Sequence, residues 1–331
     1  MSRTLGHTGI EVSDIGFGCW AIGGPFTLDG RADGYGATDD RESVAAVRRG
    51  LELGVTFFDT ADVYGTGHSE RILGEALRTR RDEVVIATKF GYTFDAARRA
   101  AAGQDVTPAY IRRACEDSLR RLGTDRIDLY QLHVGDLPAA EAIDVAGTLE
   151  DLVTAGLIRA YGWSTDDPGR AAAFAAATRA VAIQHDLNVL SDNPAMLALC
   201  EASGLASVNR TPLGMGLLTG KFTRGDRLPD SDVRAAQPWV RYFAGGRPAP
   251  GWLTRLDTIR DVITDGGRTL AQGALGWLLA RGPRTIPIPG VRTVAQAEEN
   301  AKALRTGPLP AGAMAEIARI LDPEHAPGAM L

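Results

Sequence analysis

The amino-acid sequence predicts a (β/α)8 barrel, the TIM-barrel class of α/β protein. Eight units, each a short apolar segment followed by a helical segment, succeed one another from Ile15 onward without a linker rich in serine, proline or charge. The apolar segments do not alternate with polar residues, which is typical of parallel strands buried on both faces. One such barrel with insertions accommodates 331 residues. A doubly wound open sheet is the alternative, and the unbroken series of eight units favours the barrel.

The predicted elements follow a regular order in a single domain over residues 1–331. Residues 3–14 predict an N-terminal β-hairpin, because two short apolar runs flank the turn-rich segment at 7–9. The predicted strands are 15–20, 56–59, 84–89, 127–133, 158–163, 182–186, 206–209 and 285–287. The predicted helices are 40–53, 69–77, 107–122, 139–155, 168–178, 194–203, 269–281 and 294–304. A glycine-rich loop is expected from the first strand to about Gly36.

Local signals mark several helix ends. Three helices are predicted to begin with a capping side chain followed by proline, at Thr107, Asp167 and Asn193. Glycines mark four predicted helix ends, at Gly54, Gly123, Gly156 and Gly204.

Residues 221–256 form the least regular part of the sequence, rich in glycine, proline, arginine and aromatic residues. In a barrel, an insertion at this position is expected on the catalytic face, where it closes over a ligand on the substrate side.

Composition excludes several classes of function. The net charge of −5 and the pI near 5.6 argue against a general nucleic-acid or membrane-surface binder, which needs a basic face. Cys19, Cys115 and Cys200 are too far apart to predict a disulfide framework or a zinc site, so no metal is expected. The first residues lack an apolar signal core. These features predict a cytoplasmic protein; they do not predict an oligomeric state.

Four polar residues stand where barrels place their catalytic groups, at the carboxyl ends of successive strands. They are Asp59, Tyr64, Lys89 and His133. Each residue alone has a structural explanation, but a buried aspartate and lysine must pair, and the lysine would lower the pKa of a neighbouring phenol. Such a phenol could act as a general acid, and His133 could hold a substrate oxygen.

The sequence resembles the aldo-keto reductases along nearly its whole length. The matching blocks occur in the family's order at 57–65, 87–91, 118–133, 212–221, 288–290 and 299–300. The resemblance implies a barrel that reduces carbonyls with a nicotinamide cofactor, usually NADPH. It also implies that Tyr64 is the general acid, assisted by Lys89, Asp59 and His133.

Three functions are compatible with this resemblance. The first is NADPH-dependent reduction of an aldehyde, ketone or sugar. The second is oxidation of a sugar or pyridoxine-type alcohol with NAD(P)+. The third is a cofactor-binding regulatory subunit without turnover, against which the complete tetrad argues. A barrel hydrolase using paired carboxylates is poorly supported, since no such pair stands at facing strand ends.

The resemblance also implies the cofactor contacts. Arg292 would pair with a 2′-phosphate of NADPH, although it could instead be a surface charge. The pyrophosphate would lie against the 212–221 loop, where small residues let backbone N–H groups approach. The nicotinamide amide would meet Ser164 and Gln184. The remaining implied contacts are Gly18, Cys19, Trp20, Asp59, Thr165, Asn209, Arg210, Thr211, Pro212, Leu213, Gly214, Gly216, Leu218, Lys221, Gly290, Gln296, Glu299 and Asn300.

The sequence departs from the family pattern at two cofactor positions. Thr165 replaces an asparagine, which puts one amide contact in question. Arg210 replaces an aromatic residue that stacks on the nicotinamide. The planar guanidinium could stack there and disfavour the cationic oxidised ring, or it could turn toward substrate or a nearby acid.

The substrate pocket is expected to be largely aromatic. The candidates are Trp20, Phe26, Tyr64, Tyr92, His133 and Trp163. Aromatic residues at a barrel mouth could equally be core residues. As pocket residues they would favour a small carbonyl or alcohol substrate with an apolar face.

Overall fold

Eight parallel strands form a nearly closed barrel in the computed structural model, which describes residues 2–322. The strands are β1 Ser2–Thr4, β2 Glu11–Ser13, β3 Phe17–Gly18, β4 Phe26–Leu28, β5 Arg31–Asp33, β6 Phe57–Asp59, β7 Val85–Phe90, β8 Tyr92–Asp95, β9 Ala100–Gln104, β10 Ile127–Leu132, β11 Ile158–Ser164, β12 Ala182–Asp186, β13 Ala206–Arg210, β14 Phe243–Ala244, β15 Arg247–Pro248 and β16 Thr285–Pro287. The barrel strands run in the order β3, β6, β7, β10, β11, β12, β13, β16. The predicted (β/α)8 barrel is confirmed.

Helices surround the barrel strands. They are α1 Asp40–Glu52, α2 His68–Leu77, α3 Pro108–Leu122, α4 Ala139–Thr154, α5 Pro168–Ala177, α6 Pro194–Ala202, α7 Val233–Ala236, α8 Pro250–Thr264, α9 Leu270–Ala280, α10 Val294–Ala301, α11 Ala303–Thr306 and α12 Ala311–Leu321. The three predicted caps are present: the side chains of Thr107, Asp167 and Asn193 accept backbone N–H groups of α3, α5 and α6. None of the helices in residues 2–322 is long and apolar enough to cross a membrane.

Backbone hydrogen bonds close the barrel between its first and last strands. The Gly16 N–H donates to the Pro287 carbonyl and the Gly18 N–H donates to the Pro289 carbonyl, each at 2.9 Å. The Val291 N–H returns a bond to the Gly18 carbonyl at 3.2 Å. This seam brings the loop after β16 next to the loop after β3, so both loops border the same end of the barrel.

The apolar core has an inner and an outer layer. Phe57, Val85 and Leu129 point into the barrel, whereas Phe58 and other alternate residues pack under the helices. The predicted N-terminal hairpin, β1–β2, is present, and its Val12 joins the inner layer from below. Because the amino ends of the strands are plugged, the open end is the carboxyl end.

A small sheet of mixed strand direction covers part of the open end. The hairpins β4–β5 and β8–β9 associate through parallel pairing of β4 with β9, giving the order β5, β4, β9, β8. The prediction of a continuous loop up to about Gly36 is therefore wrong. The strands are only three to five residues long and their central pairing joins distant segments, so local pattern could not show them.

The segment 221–256 crosses the same end. Its only regular pieces are α7, the two-residue strands β14 and β15, and the first turns of α8, which begins at Pro250 inside the segment predicted to be irregular. The Val233 N–H donates to the Gly34 carbonyl at 2.9 Å, so α7 is tied to the end of β5. The insertion therefore reaches across the barrel mouth to the small sheet.

Gly65 is needed where the loop after β6 touches the loop after β3. Its backbone φ is +57°, in the left-handed region, and a Cβ there would lie 1.9 Å from the carbonyl oxygen of Gly23. Gly156, at the end of α4, has a φ of +75°, but a Cβ there would meet nothing beyond its chain neighbours within 4 Å. Of these two glycines, only Gly65 combines the conformation with a close backbone approach.

We expect Gly65→Ala to lower the free energy of unfolding by more than Gly156→Ala. Both substitutions place a side chain at positive φ, which costs about 1–2 kcal/mol. The alanine at 65 must also displace the Gly23 backbone, and overpacking typically adds about 1–3 kcal/mol. Urea unfolding of both variants measures the difference, and equal losses would contradict this account of the loop contact.

Candidate active site

Four side chains from three adjacent strand ends meet at the open end of the barrel. Asp59 ends β6, Tyr64 lies in the loop that follows, Lys89 is in β7 and His133 directly follows β10. The Lys89 ammonium donates to Asp59 Oδ1 at 2.6 Å, to the Thr60 carbonyl at 2.7 Å and to the Tyr64 hydroxyl at 3.3 Å. The three bonds use all three donor positions of the ammonium.

The Lys89 side chain is completely buried, and the side chain of Asp59 is 3% exposed. Burial alone would lower the pKa of Lys89, but the negative charge of Asp59 and the hydroxyl of Tyr64 outweigh burial and leave that pKa raised. The ammonium is therefore charged at neutral pH, inside the protein and against the phenol.

The second carboxylate oxygen of Asp59 is also held. Gln131 and Gln184 donate their side-chain amides to Oδ2 at 3.1 and 2.8 Å. Gln131 was not predicted from the sequence, although a glutamine in an otherwise apolar strand was a usable signal, and it pairs in register with Lys89. The amide nitrogen of Gln184, expected to face the nicotinamide, is directed at Asp59.

The pKa of Tyr64 moves in the opposite direction from the expectation. Burial raises it, and the nearby charge of Lys89 opposes that rise without reversing it. The expectation of a lowered pKa is wrong because the cost of placing a phenolate in a low-dielectric site exceeds the attraction of one ammonium. Tyr64 therefore keeps its proton at neutral pH and has a cation beside its oxygen.

His133 is neutral at the same pH. Burial, then the positive charges of Lys89 and Arg210, hold its pKa well below its usual value. Its ring lies edge-on to Tyr64 and Tyr92, at centroid distances of 5.8 and 5.4 Å. Its Nδ1 has no hydrogen-bond partner among the described residues. A neutral imidazole beside the phenol can donate to or accept from an oxygen without adding charge.

A cavity of about 1570 Å³ extends from this cluster to the start of α10. Lys89 does not line this cavity itself, but its ammonium contacts two residues that do, Asp59 and Tyr64. Most residues proposed from the sequence line it: Gly18, Cys19, Trp20, Phe26, Asp59, Tyr64, Tyr92, His133, Ser164, Thr165, Gln184, Arg210, Thr211, Pro212, Leu213, Gly216, Lys221, Gly290, Arg292, Gln296, Glu299 and Asn300.

Trp163 does not line this cavity, so its placement in the substrate pocket is wrong. The side chain is fully buried and packs on Phe174 at 5.3 Å between ring centroids. Its indole N–H donates to the Val134 carbonyl at 2.9 Å. The residue alternates to the helix side of β11, a choice of face that an apolar strand does not reveal.

Three proposed cofactor contacts also lie outside the cavity lining. Asn209 is buried and donates to Ser207 at 2.9 Å. Gly214 and Leu218 are buried in a short 3-10 segment, Gly214–Thr219. Their N–H groups donate to the Thr211 and Leu213 carbonyls, so those two donors are committed within the loop.

The far end of the cavity concentrates positive charge. Lys221, Arg234 and Arg292 all line it. Loss of solvation and the charges of Arg234 and Arg292 lower the pKa of Lys221. Across residues 2–322, neither Lys221 nor Arg292 has a carboxylate within 4.0 Å. Two cations that have no paired carboxylate fit the phosphates of a dinucleotide.

Arg234 was not among the residues proposed from the sequence. It projects from α7 in the 221–256 insertion and is 8% exposed. It pairs with Asp232 at 2.7 Å and donates to the Met215 carbonyl at 3.0 Å. The insertion is thereby fastened to the 212–221 loop. The sequence shows only an arginine in an irregular segment. Several other arginines lie in the same segment, so this one did not stand out.

Two hydrogen bonds hold Arg292 in place, one from its side chain and one from its backbone. The Arg292 guanidinium donates to the Tyr35 carbonyl at 3.1 Å, and its backbone N–H donates to Gln296 at 2.9 Å. Asn300 donates to the Gly290 carbonyl at 3.2 Å, whereas Glu299 accepts from Gln272 at 3.1 Å. Arg292 is therefore fixed at the cavity wall and is not a free surface charge.

Arg210 follows the second of its two predicted alternatives. Its guanidinium is ion-paired with Asp166, and both residues line the cavity. Its charge still acts on its surroundings, since it contributes to the lowered pKa of His133.

The open end of the barrel thus brings together a buried lysine–aspartate pair against a tyrosine, a neutral histidine and a cationic cavity end. The sequence matches the Aldo/keto reductase family over residues 14–322, and the chain belongs to that family. The family uses NADP(H).

Individual relatives agree with this assignment. The chain is 32% identical to the Schizosaccharomyces pombe aldo-keto reductase yakc [NADP(+)], over 92% of this chain and 86% of that protein. Its fold is similar to that of the Gluconobacter oxydans glycerol dehydrogenase AKR11B4, with a TM-score of 0.82, 28% identity and coverage of 99% and 97%. A Klebsiella pneumoniae aldo/keto reductase in complex with NADP and acetate matches with a TM-score of 0.70, 26% identity and coverage of 96% and 95%.

Proposed function

We propose that this protein reduces an aldehyde, ketone or sugar to the alcohol with NADPH, with Tyr64 as the proton donor. The observation that carries the proposal is the Lys89 ammonium held between the Asp59 carboxylate and the Tyr64 hydroxyl, at 2.6 and 3.3 Å. When bound, NADPH supplies a hydride to the carbonyl carbon. The residues of the chain must then supply the proton and stabilise the oxygen.

Tyr64 has a proton to give at neutral pH because burial raises its pKa. As the proton leaves, negative charge develops on the phenol oxygen, next to the ammonium of Lys89 at 3.3 Å. That charge is stabilised at the moment it forms, in a site where water is largely excluded. Asp59 keeps Lys89 charged and in place, and so acts through the lysine as a positioning residue.

His133 is the proposed orienting group for the carbonyl oxygen. Its lowered pKa keeps the imidazole neutral, so it can hold an oxygen without competing with Tyr64 to protonate it. Each group acts in reverse when an alcohol is oxidised: Tyr64, once deprotonated, accepts the hydroxyl proton. The same site therefore supports both directions.

The positive end of the cavity is the proposed phosphate site. Lys221 and Arg234 would hold the pyrophosphate, and Arg292 would pair with the 2′-phosphate that distinguishes NADPH from NADH. Arg292 has the required planar fork and a fixed position beside the Tyr35 carbonyl. The preference for NADPH follows from this charge.

We expect Tyr64→Phe to lose nearly all carbonyl reduction while binding NADPH as the wild type does. The variant lacks only the hydroxyl, and general acid catalysis typically contributes about 10²–10⁴-fold. Turnover of para-nitrobenzaldehyde is followed by NADPH absorbance, and binding by NADPH fluorescence. Tyr161→Phe is the matched control, because it removes a hydroxyl that is bonded to Glu150, and both residues lie outside the cavity lining. Full reduction of para-nitrobenzaldehyde by Tyr64→Phe would contradict the proposal that Tyr64 is the proton donor.

We expect Arg292→Met to weaken NADPH binding about 10-fold to 100-fold and to change NADH binding little. The estimate follows from about 1.5–3 kcal/mol for a charge-assisted hydrogen bond. Fluorescence titration with each cofactor measures both dissociation constants, with Arg305→Met, an arginine on α11 outside the cavity lining, as the control. Equal weakening for the two cofactors would show that Arg292 does not read the 2′-phosphate.

A further inference from the structure

One buried acid in the cavity takes no part in the proposed proton transfer. Asp33, the last residue of β5, is 2% exposed and lines the cavity near the catalytic end. It reaches this place because the small sheet formed by the two hairpins lies over the barrel mouth. Nothing in the sequence pattern singled it out, since it stands in a glycine-rich stretch.

Among the described residues, Asp33 is a buried acid of the cavity that has no cation, whereas the unpaired Asp136 in the same lining is exposed. Asp59 pairs with Lys89, Asp166 with Arg210, and Asp186 with Arg241. In residues 2–322 no lysine, arginine or histidine nitrogen lies within 4.0 Å of the Asp33 carboxylate.

The carboxyl group of Asp33 is also short of hydrogen bonds. The Gly34 N–H donates to Oδ1 at 2.7 Å. The indole N–H of Trp20 is near enough to favour the carboxylate, yet it makes no hydrogen bond of normal geometry with a described group. Oδ2 accepts no such bond from residues 2–322. An acceptor that has no donor among these residues, on a side chain only 2% exposed, is available to a ligand that bears a donor.

Aromatic rings connect this acid to the catalytic phenol. Trp20 stacks on Tyr64 at a centroid distance of 5.7 Å and an interplanar angle of 23°. Trp20 also stacks with Trp239, at a centroid distance of 6.1 Å and an interplanar angle of 25°. Trp239 is 50% exposed, an unusual exposure for a tryptophan, and it also lines the cavity. The wall from the surface to Tyr64 is therefore aromatic, with one buried acid beside it.

Burial raises the pKa of Asp33 to about 7, against the opposing effects of Gly34 and Trp20. The carboxylate form predominates about one pH unit above that value. An ionised carboxylate only accepts hydrogen bonds, so the group that meets it must be a donor.

We propose that Asp33 selects substrates whose carbonyl-bearing apolar body carries a second group that donates a hydrogen bond, a hydroxyl or an ammonium. This inference rests on the proposed carbonyl reduction at Tyr64. The flat body of the substrate lies along Trp20 and Trp239, and the donor reaches the free oxygen of Asp33. A substrate that presents an ether or a carboxylate there leaves the acid unpaired or repels it, and is rejected.

The test compares aldehydes that differ only in that second group. The wild type is assayed with NADPH about one pH unit above the Asp33 pKa, on para-(hydroxymethyl)benzaldehyde, its methyl ether, its dimethylamino analogue and para-formylbenzoate. The hydroxymethyl or the dimethylammonium compound is expected to exceed the ether and the benzoate at least about 10-fold in kcat/KM, since one hydrogen bond to a charged group contributes about 1.5–3 kcal/mol. The better substrate of these two, the hydroxymethyl or the dimethylammonium compound, shows whether Asp33 binds a neutral or a cationic donor.

The same ratios are then measured in Asp33→Asn. The amide donates as well as accepts, so the preference over the ether and the benzoate should fall to about twofold or less. Asp29→Asn is the matched control, because Asp29 lies in the turn of the same hairpin, between β4 and β5, and outside the cavity lining. Its φ of +50° is one that asparagine tolerates. That variant should keep the wild-type ratios.

The outcomes separate this inference from the proposed function. Reduction of all four aldehydes and of para-nitrobenzaldehyde at similar kcat/KM, or ratios unchanged in Asp33→Asn, would overturn the role of Asp33 and leave carbonyl reduction standing. No oxidation of NADPH with any aldehyde in the wild type would overturn both. If Asp33→Asn fails to fold, the kcat/KM ratios of the wild type among the four aldehydes test the proposed selectivity by themselves.

Discussion

The buried ion pair between Lys89 and Asp59 is the constraint on which the site depends. A lysine with no exposed surface is tolerated only if its charge is compensated and its donors are used. Three strands satisfy this requirement together, because β6 supplies Asp59, β7 supplies Lys89 and β10 supplies Gln131, which holds the other carboxylate oxygen. Adjacent parallel strands whose carboxyl ends coincide are what make that convergence possible.

One cation in a low-dielectric site sets the protonation of its neighbours. It opposes the rise in the pKa of Tyr64 that burial causes, and it contributes to the fall in the pKa of His133. The result at neutral pH is a protonated phenol, a neutral imidazole and a charged ammonium within one cluster. A proton donor beside a fixed positive charge suits the proposed reduction of a carbonyl.

The sequence predicted those features that repeat or that lie at strand ends. The eight βα units follow from apolar periodicity, and the tetrad follows from polar residues at the ends of three consecutive strands. Pairing of β4 with β9 joins hairpins far apart in the chain, so neither that sheet nor Asp33 within it was predicted. Trp163 was misplaced because an apolar strand does not show which face points inward, and Arg234 was missed because its partners, Asp232 and Met215, come together only in the folded insertion.

The proton affinity of Lys89 tests this account most directly. The chain contains three lysines, Lys89, Lys221 and Lys302. NMR of lysine-labelled protein therefore shows three ammonium signals, and the variants Lys221→Met and Lys302→Met assign them. The account predicts that Lys89 keeps its proton to higher pH than Lys221. At Lys89 the charge of Asp59 and the Tyr64 hydroxyl outweigh burial, whereas burial and two neighbouring guanidiniums lower the pKa of Lys221. Loss of the Lys89 proton at a lower pH than that of Lys221 would contradict it.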